Sequence, residues 1–194
     1  MSARQTGPKD SARARGAYVA LLRGINVGGK NVIAMDALAE IFAAAGCGEV
    51  RTYIQSGNVV FRASSTVAAR VAGAVTKHIE RRLGRCVPVV LRTAEELARA
   101  ARANPFLRAR GVATEALHVV FLSDEPSARA VAALDPRRSP PDEFRVSGRE
   151  IYLACPNGIA RTKLTNAWFD GALATTSTMR NWRTVLKLVE LVRG

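Results

Sequence analysis

Apolar positions along the chain fall into short runs whose spacing alternates between strand-like and helix-like, with glycine, proline and charged residues between them. Residues 17–23, apolar from Tyr18 to Leu22, predict a buried strand. Over 35–45, Leu38, Ile41, Phe42 and Ala45 share one helical face, and Gly46 closes the pattern. Residues 49–55 and 58–62 are rich in β-branched and aromatic side chains around Ser56-Gly57, which predicts a hairpin. Thr66 is placed to cap a helix reaching Leu83, with Val67, Val71, Val75 and either His78 or Ile79 inward, and Gly84 ends it. Residues 87–92 predict a strand, which Pro88 assigns to a sheet edge. A helix over 94–103 then runs up to Asn104-Pro105-Phe106.

The same order recurs downstream. A strand over 117–122 precedes a helix over 127–134 and a hairpin of 144–146 and 151–154 turning at Ser147-Gly148. A helix over 161–173 follows, with Leu164, Trp168 and Phe169 apolar, then a short strand over 174–179 and a closing helix over 181–192. The order β-α-β-β-α-β is ferredoxin-like. The pattern therefore predicts an α+β protein of two tandem ferredoxin-like halves, each followed by an extra helix. Their limits are 17–106 and 107–194, with the boundary at 107–111 and a disordered basic tail over 1–16. The repetition is one of element order, not of residue identity.

Composition narrows the class. The chain has 194 residues, 48% of them hydrophobic, enough to build a sizeable core. No apolar run approaches the roughly 20 residues needed to span a bilayer, so no membrane partner is expected. The N-terminus carries no apolar segment, which argues against a secretory signal and makes the cytoplasm the expected location. Cys47, Cys86 and Cys155 are far apart, which fits neither a disulfide framework nor a metal site, and Cys86 and Cys155 read as packed thiols. The net charge of +13 favours anionic partners, either nucleic acid or a small molecule. Arginine in excess of lysine, with abundant alanine, is also what GC-rich coding produces. Arg4, Lys9, Arg13 and Arg15 stand against Asp10 in the tail, so most of the charge lies beyond it.

The segments A-L-L-R-G-I-N-V-G-G-K-N, V-R-T-Y-I-Q-S-G-N-V-V-F, N-P-F, R-T-K-L-T-N-A-W and T-M-R-N-W-R-T-V-L-K-L resemble the bacterial family called domain of unknown function 1697. The resemblance covers nearly everything after Gly16. It implies a cytoplasmic bacterial α+β protein of two related ferredoxin-like halves, and it implies no activity. The family pattern has a threonine directly before R-N-W, where this chain has Met179 with Thr178 one step back.

Three stretches could carry chemistry. Gly24 to Asn31 matches G-x-x-x-x-G-K after a strand, as in a phosphate loop. Asn31 stands where Ser or Thr would bind magnesium, and the helix starts several residues late, which counts against a P-loop NTPase. Arg23, Asn26, Gly28, Gly29, Lys30 and Asn31 remain as ligands for a phosphate or carboxylate, against the plainer reading of a glycine-bearing connection. In the first hairpin, alternation puts Arg51, Tyr53 and Gln55 on one face and Thr52 and Ile54 on the other. With Ile54 toward the core, Tyr53, Gln55, Ser56 and Asn58 are candidate binding residues; an ordinary turn is the alternative. Arg180 and Asn181, after Thr178, open the last helix, where free N–H groups and cations favour an anion.

The sequence thus predicts that the loop over 23–31 and the helix start over 178–183 meet and bind one anion. Lys30→Ala and Arg180→Ala should each weaken that binding with little loss of thermal stability. Two other readings remain. One is a non-specific nucleic-acid binding module, since β-α-β-β-α-β is also the order of RNA-recognition motifs, although Phe61 is the sole aromatic on the third strand. The other is an enzyme acting on a phosphorylated small molecule, with Arg23, Lys30 and Arg180 as clamps. His78 and His118 have no acid or nucleophile beside them in sequence, and no cofactor motif points to a reaction.

Overall fold

The computed structural model describes residues 15–26, 32–108 and 112–194. Strands β1 (Gly16–Leu22), β2 (Gly48–Tyr53), β3 (Asn58–Ala63) and β4 (Val89–Thr93) form one antiparallel sheet in the order β2-β3-β1-β4. Strands β5 (Leu117–Leu122), β6 (Glu143–Ser147), β7 (Glu150–Ala154) and β8 (Ser177–Asn181) form a second, in the order β6-β7-β5-β8. Helices α1 (Met35–Ala44), α2 (Ser65–Leu83) and α3 (Ala94–Arg102) accompany the first sheet in sequence. Helices α4 (Ala128–Ala132), α5 (Asn166–Leu173) and α6 (Trp182–Arg193) accompany the second. The protein is α+β, with two four-stranded antiparallel sheets and six α-helices among the described residues. No described helix is long and apolar enough to cross a membrane.

Each sheet buries both faces, because alternate residues of its central strands serve different clusters. In β1, Ala20 and Leu22 pack with Phe42 of α1 and Val71, Val75 and Ile79 of α2. Val19 and Leu21 face the other way, into a central cluster. The second sheet repeats this: Val120, Leu122, Ile151 and Leu153 meet Phe169 of α5, while Val119, Phe121 and Tyr152 turn to the centre. That central cluster draws on both halves, and Leu97 of α3 and Val185 and Leu188 of α6 complete it. The Tyr152 hydroxyl donates to the Ala100 carbonyl of α3 at 3.0 Å, which ties the second sheet to the first half's extra helix.

Several local expectations change. Ser64, not Thr66, caps α2, accepting from the Val67 N–H at 3.3 Å. β2 ends at Tyr53, because Ile54 adopts φ 49 and is half exposed, so the alternation that would send it inward is broken there. The helix expected over 161–173 begins only at Asn166, where Thr165 accepts from the Trp168 N–H at 3.2 Å. Residues Ile159–Arg161 are a 3-10 turn. Cys86 is exposed while Cys47 and Cys155 are buried. The tail expected over 1–16 lies outside the described residues up to 14, and Gly16 already opens β1. Of the expected boundary, 109–111 lies outside them too.

Candidate functional site between the two halves

Backbone hydrogen bonds fix how the halves correspond. The Leu22 N–H donates to Gly57 at 2.8 Å and the Leu122 N–H to Arg149 at 2.9 Å. The Arg23 N–H reaches Pro88 at 3.0 Å, and the Ser123 N–H reaches Thr176 at 2.8 Å. Strand registers agree: Leu21 lies opposite Asn58 and Phe121 opposite Glu150, while Val19 lies opposite Arg92 and Val119 opposite Arg180. Thus Asn58 corresponds to Glu150, Gly57 to Arg149, and Arg92 to Arg180.

Those two arginines clasp the halves together reciprocally. From β4, Arg92 reaches the second half: Nε donates to Glu150 Oε1, and Nη2 to the Leu122 and Arg149 carbonyls, all at 2.8 Å. From β8, Arg180 reaches the first half: Nε donates to Asn58 Oδ1 at 2.6 Å and Nη2 to the Leu22 carbonyl at 2.7 Å. Nη2 also meets the Ser56 and Gly57 carbonyls at 3.2 Å, and Nη1 donates to Thr178 Oγ1 and the Met179 carbonyl at 2.8 Å.

The clasps differ in charge. Arg92 pairs with Glu150, and the neighbouring Arg149 pairs with Glu96 of α3 at 2.5 Å. Burial lowers the Arg92 pKa, and Glu150 opposes that shift. Arg180 has Asn58 in place of the carboxylate and makes no ion pair among the described residues. Burial pushes its pKa down to about 10, which leaves it charged at neutral pH.

A cleft of about 510 Å³ lies over Arg180, lined also by Arg23, Gly24, Ser56, Thr178 and Asn181. A smaller one of about 330 Å³ occupies the corresponding place beside Arg149 and contains Glu96, Glu125 and Glu150. By the correspondence above, those carboxylates match Thr184 and Ile25, which line the larger cleft, and the buried Asn58. The smaller cleft is lined by the chain's own acids, whereas the described residues that line the larger one include no carboxylate, and Arg180 there has no ion pair among the described residues.

The sequence-predicted residues divide accordingly. Arg23, Ser56, Arg180 and Asn181 meet at the larger cleft. Arg23 is ion-paired with Asp170 and donates to the Ser177 carbonyl at 3.0 Å. Asn58 is fully buried and does not line the cleft; its Nδ2 donates to the Tyr53 carbonyl at 3.1 Å and to Ser56 Oγ at 3.0 Å. Asn26 is a clip: Oδ1 accepts from the Ile33 N–H at 2.8 Å, and Nδ2 donates to the Ile33 and Gln55 carbonyls at 3.0 and 2.9 Å. The Gln55 side chain is exposed. Tyr53 instead lines a separate groove of about 720 Å³ along α6, with Trp182, Arg183 and Lys187. Gly28, Gly29, Lys30 and Asn31 lie outside the described residues.

Two roles need correction. Arg180 lies in β8, not at the helix start, and its five N–H groups are all engaged, so it offers field and not hydrogen bonds to a ligand. Its burial also overturns the expectation that Arg180→Ala would leave stability nearly unchanged. Asn181 is the N-cap of α6, and its Oδ1 accepts from the Thr184 N–H at 2.8 Å. Sequence reasoning missed Arg92, Glu150, Arg149 and Glu96. The available signal was an arginine directly before a capping residue at a strand end, L-R-T in one half and M-R-N in the other.

Among the described residues that line the cleft there is no histidine, cysteine or carboxylate. Burial lowers the His118 pKa and pushes the Cys47 and Cys155 thiols up to about 11, and none of the three lines the cleft. No cluster of three metal-ligating side chains occurs among the described residues.

Residues 16–152 match the family model described as "Protein of unknown function (DUF1697)". Among solved structures, the conserved bacterial protein SP0830 from Streptococcus pneumoniae is similar in fold, with a TM-score of 0.71 and 20% identity. The match covers 93% of this chain and 100% of that one. No curated protein matches.

Proposed function

The chain belongs to the DUF1697 family of proteins of unknown function, and on that premise we propose that it binds a small phosphate- or carboxylate-bearing anion in the cleft over Arg180. We read each half as a ferredoxin-like unit, with the boundary near 107–111; the repeated strand order supports this. The observation that carries the function is the charge difference between the two clasps. A buried guanidinium without a carboxylate keeps a desolvation cost that its counterpart Arg92 offsets with Glu150. An anion entering the cleft would supply the missing negative charge. Arg23 lines that cleft, and Lys30 follows it seven positions along the sequence.

Calorimetric titration with inorganic phosphate, pyrophosphate and citrate tests the reading, using Lys30→Ala and Asn58→Asp. A charge-assisted contact contributes about 1.5–3 kcal/mol, so Lys30→Ala should weaken binding roughly ten- to a hundredfold. Asn58→Asp places a carboxylate beside Arg180, as Glu150 is beside Arg92, and should abolish binding by neutralising the cleft from within. No binding heat from any of the three anions, or an unchanged affinity in both variants, would sink the proposal.

A further inference from the structure

We infer that the outward face of α2 is a docking surface for the phosphate backbone of nucleic acid, separate from the cleft. The sheets cannot serve in the manner of an RNA-recognition motif, whose bases stack on an open sheet face. Here one face of each sheet is filled by the central cluster, and the other is packed against helices. Nucleic acid must therefore be met by helices or loops, and the distribution of unpaired charge selects α2.

Arg70, Lys77 and Arg81 occur at i, i+7 and i+11, which places them within about 40° of one line along the helix, spanning roughly 16 Å. All three are exposed, and none forms an ion pair among the described residues. The opposite side, Ala68, Val71, Val75 and Ile79, is buried against the first sheet, so the basic line points straight at solvent. Gly73 and Ala74 are the exposed residues between Arg70 and Lys77, and a Cβ at Gly73 would meet nothing within 4 Å. A phosphate backbone can thus lie close against the helix there. Arg82 adds charge within the last turn, and Arg85 lies just past the helix end. Glu80 is the single acid on α2 and lies on its flank; Asp36 and Glu40 of α1 pair with none of these bases.

The chemistry favours nucleic acid over an anionic membrane. Helices that lie on membranes insert an apolar face into the lipid. The apolar face of α2 is consumed by the core, and none of the exposed large hydrophobic residues, Val32, Ile54, Leu107, Ile159 and Leu186, lies on this helix. Apart from Glu80 on its flank, the charges this surface offers are cations, so binding should be indifferent to sequence and driven by counterion release.

Fluorescence anisotropy with a labelled mixed-sequence duplex, titrated between 50 and 200 mM salt, tests this. Each phosphate contact contributes a slope of about 0.9 to the fall of log K with log salt, so Arg70→Gln/Lys77→Gln/Arg81→Gln should reduce the slope by roughly 2–3 and weaken binding at least about tenfold at the lower salt. A control that removes the same charge elsewhere, Arg129→Gln/Arg137→Gln/Arg161→Gln, should keep most of the wild-type slope. All six positions are exposed, so melting curves should match the wild type. Equal losses in both triple variants, no duplex binding at 50 mM salt, or binding to phosphatidylserine vesicles in place of duplex would each overturn the inference.

Discussion

An arginine one position before the end of an edge strand does the same structural work twice in this molecule. Arg92 and Arg180 each donate to carbonyls of the opposite half, among them Arg149 and Gly57, which also accept a backbone N–H from within their own half. Such carbonyls are costly to strand: an unsatisfied buried acceptor costs about 1–3 kcal/mol. Arg180→Ala would take the guanidinium donor from Leu22 O and Asn58 Oδ1 together, leave Gly57 O with the Leu22 N–H alone, and open a cavity as well. Urea denaturation should therefore show a loss of about 3–5 kcal/mol. A loss below about 1 kcal/mol would mean that water replaces the guanidinium at no cost, and that the clasp is incidental. The pairing of Arg180 with Asn58 also shows why the site was only half legible in sequence. Arg180 and Asn58 could be nominated individually as polar residues in polar stretches. Their contact across 122 positions depends on how the halves pack, and no local pattern encodes it.

At the scale of elements, periodicity located β1, α1, the two hairpins and α6 because each has a strong apolar face bounded by a glycine or a capping residue. It overran where an apolar spacing continued through a cap. Leu164, Trp168 and Phe169 extend a helical pattern back toward Arg161, yet Thr165 takes the N-cap conformation at φ −89 and ψ 159. Leu164 is buried from outside the helix, among the residues that pack with Phe169. The difference is measurable through the sign of one substitution. Inside a helix, Thr→Ala is stabilising by up to about 0.7 kcal/mol. At an N-cap it is destabilising by about 1 kcal/mol, because the Trp168 N–H loses its acceptor. Thr165→Ala should thus lower the melting temperature, and a rise would restore the longer helix. Ile54 failed for a related reason: alternation assumes extended backbone, and positive φ at that residue ends the strand at Tyr53, two positions early.

At the scale of the whole molecule, the two halves are separate in their hydrogen-bonded sheets but not in their cores. A chain read as two successive units would be expected to divide its apolar residues in two. The residues instead form three clusters, and the central one takes Val19, Val60 and Leu97 from one half and Val119, Tyr152 and Leu188 from the other. The extra helices are the reason: α3 and α6 pack on each other between the sheets, so neither half can bury its inner face alone. Removing one half would expose the inner apolar face of the remaining sheet and take away the guanidinium that donates to its carbonyls. The halves should therefore unfold together. Differential scanning calorimetry of the full chain should give one transition, with the calorimetric and van't Hoff enthalpies equal, as a two-state unit requires. Near-ultraviolet and far-ultraviolet circular dichroism should report the same midpoint. Two resolved transitions, or a van't Hoff enthalpy near half the calorimetric one, would show that each half is stable by itself and that the shared cluster is only a contact between finished domains.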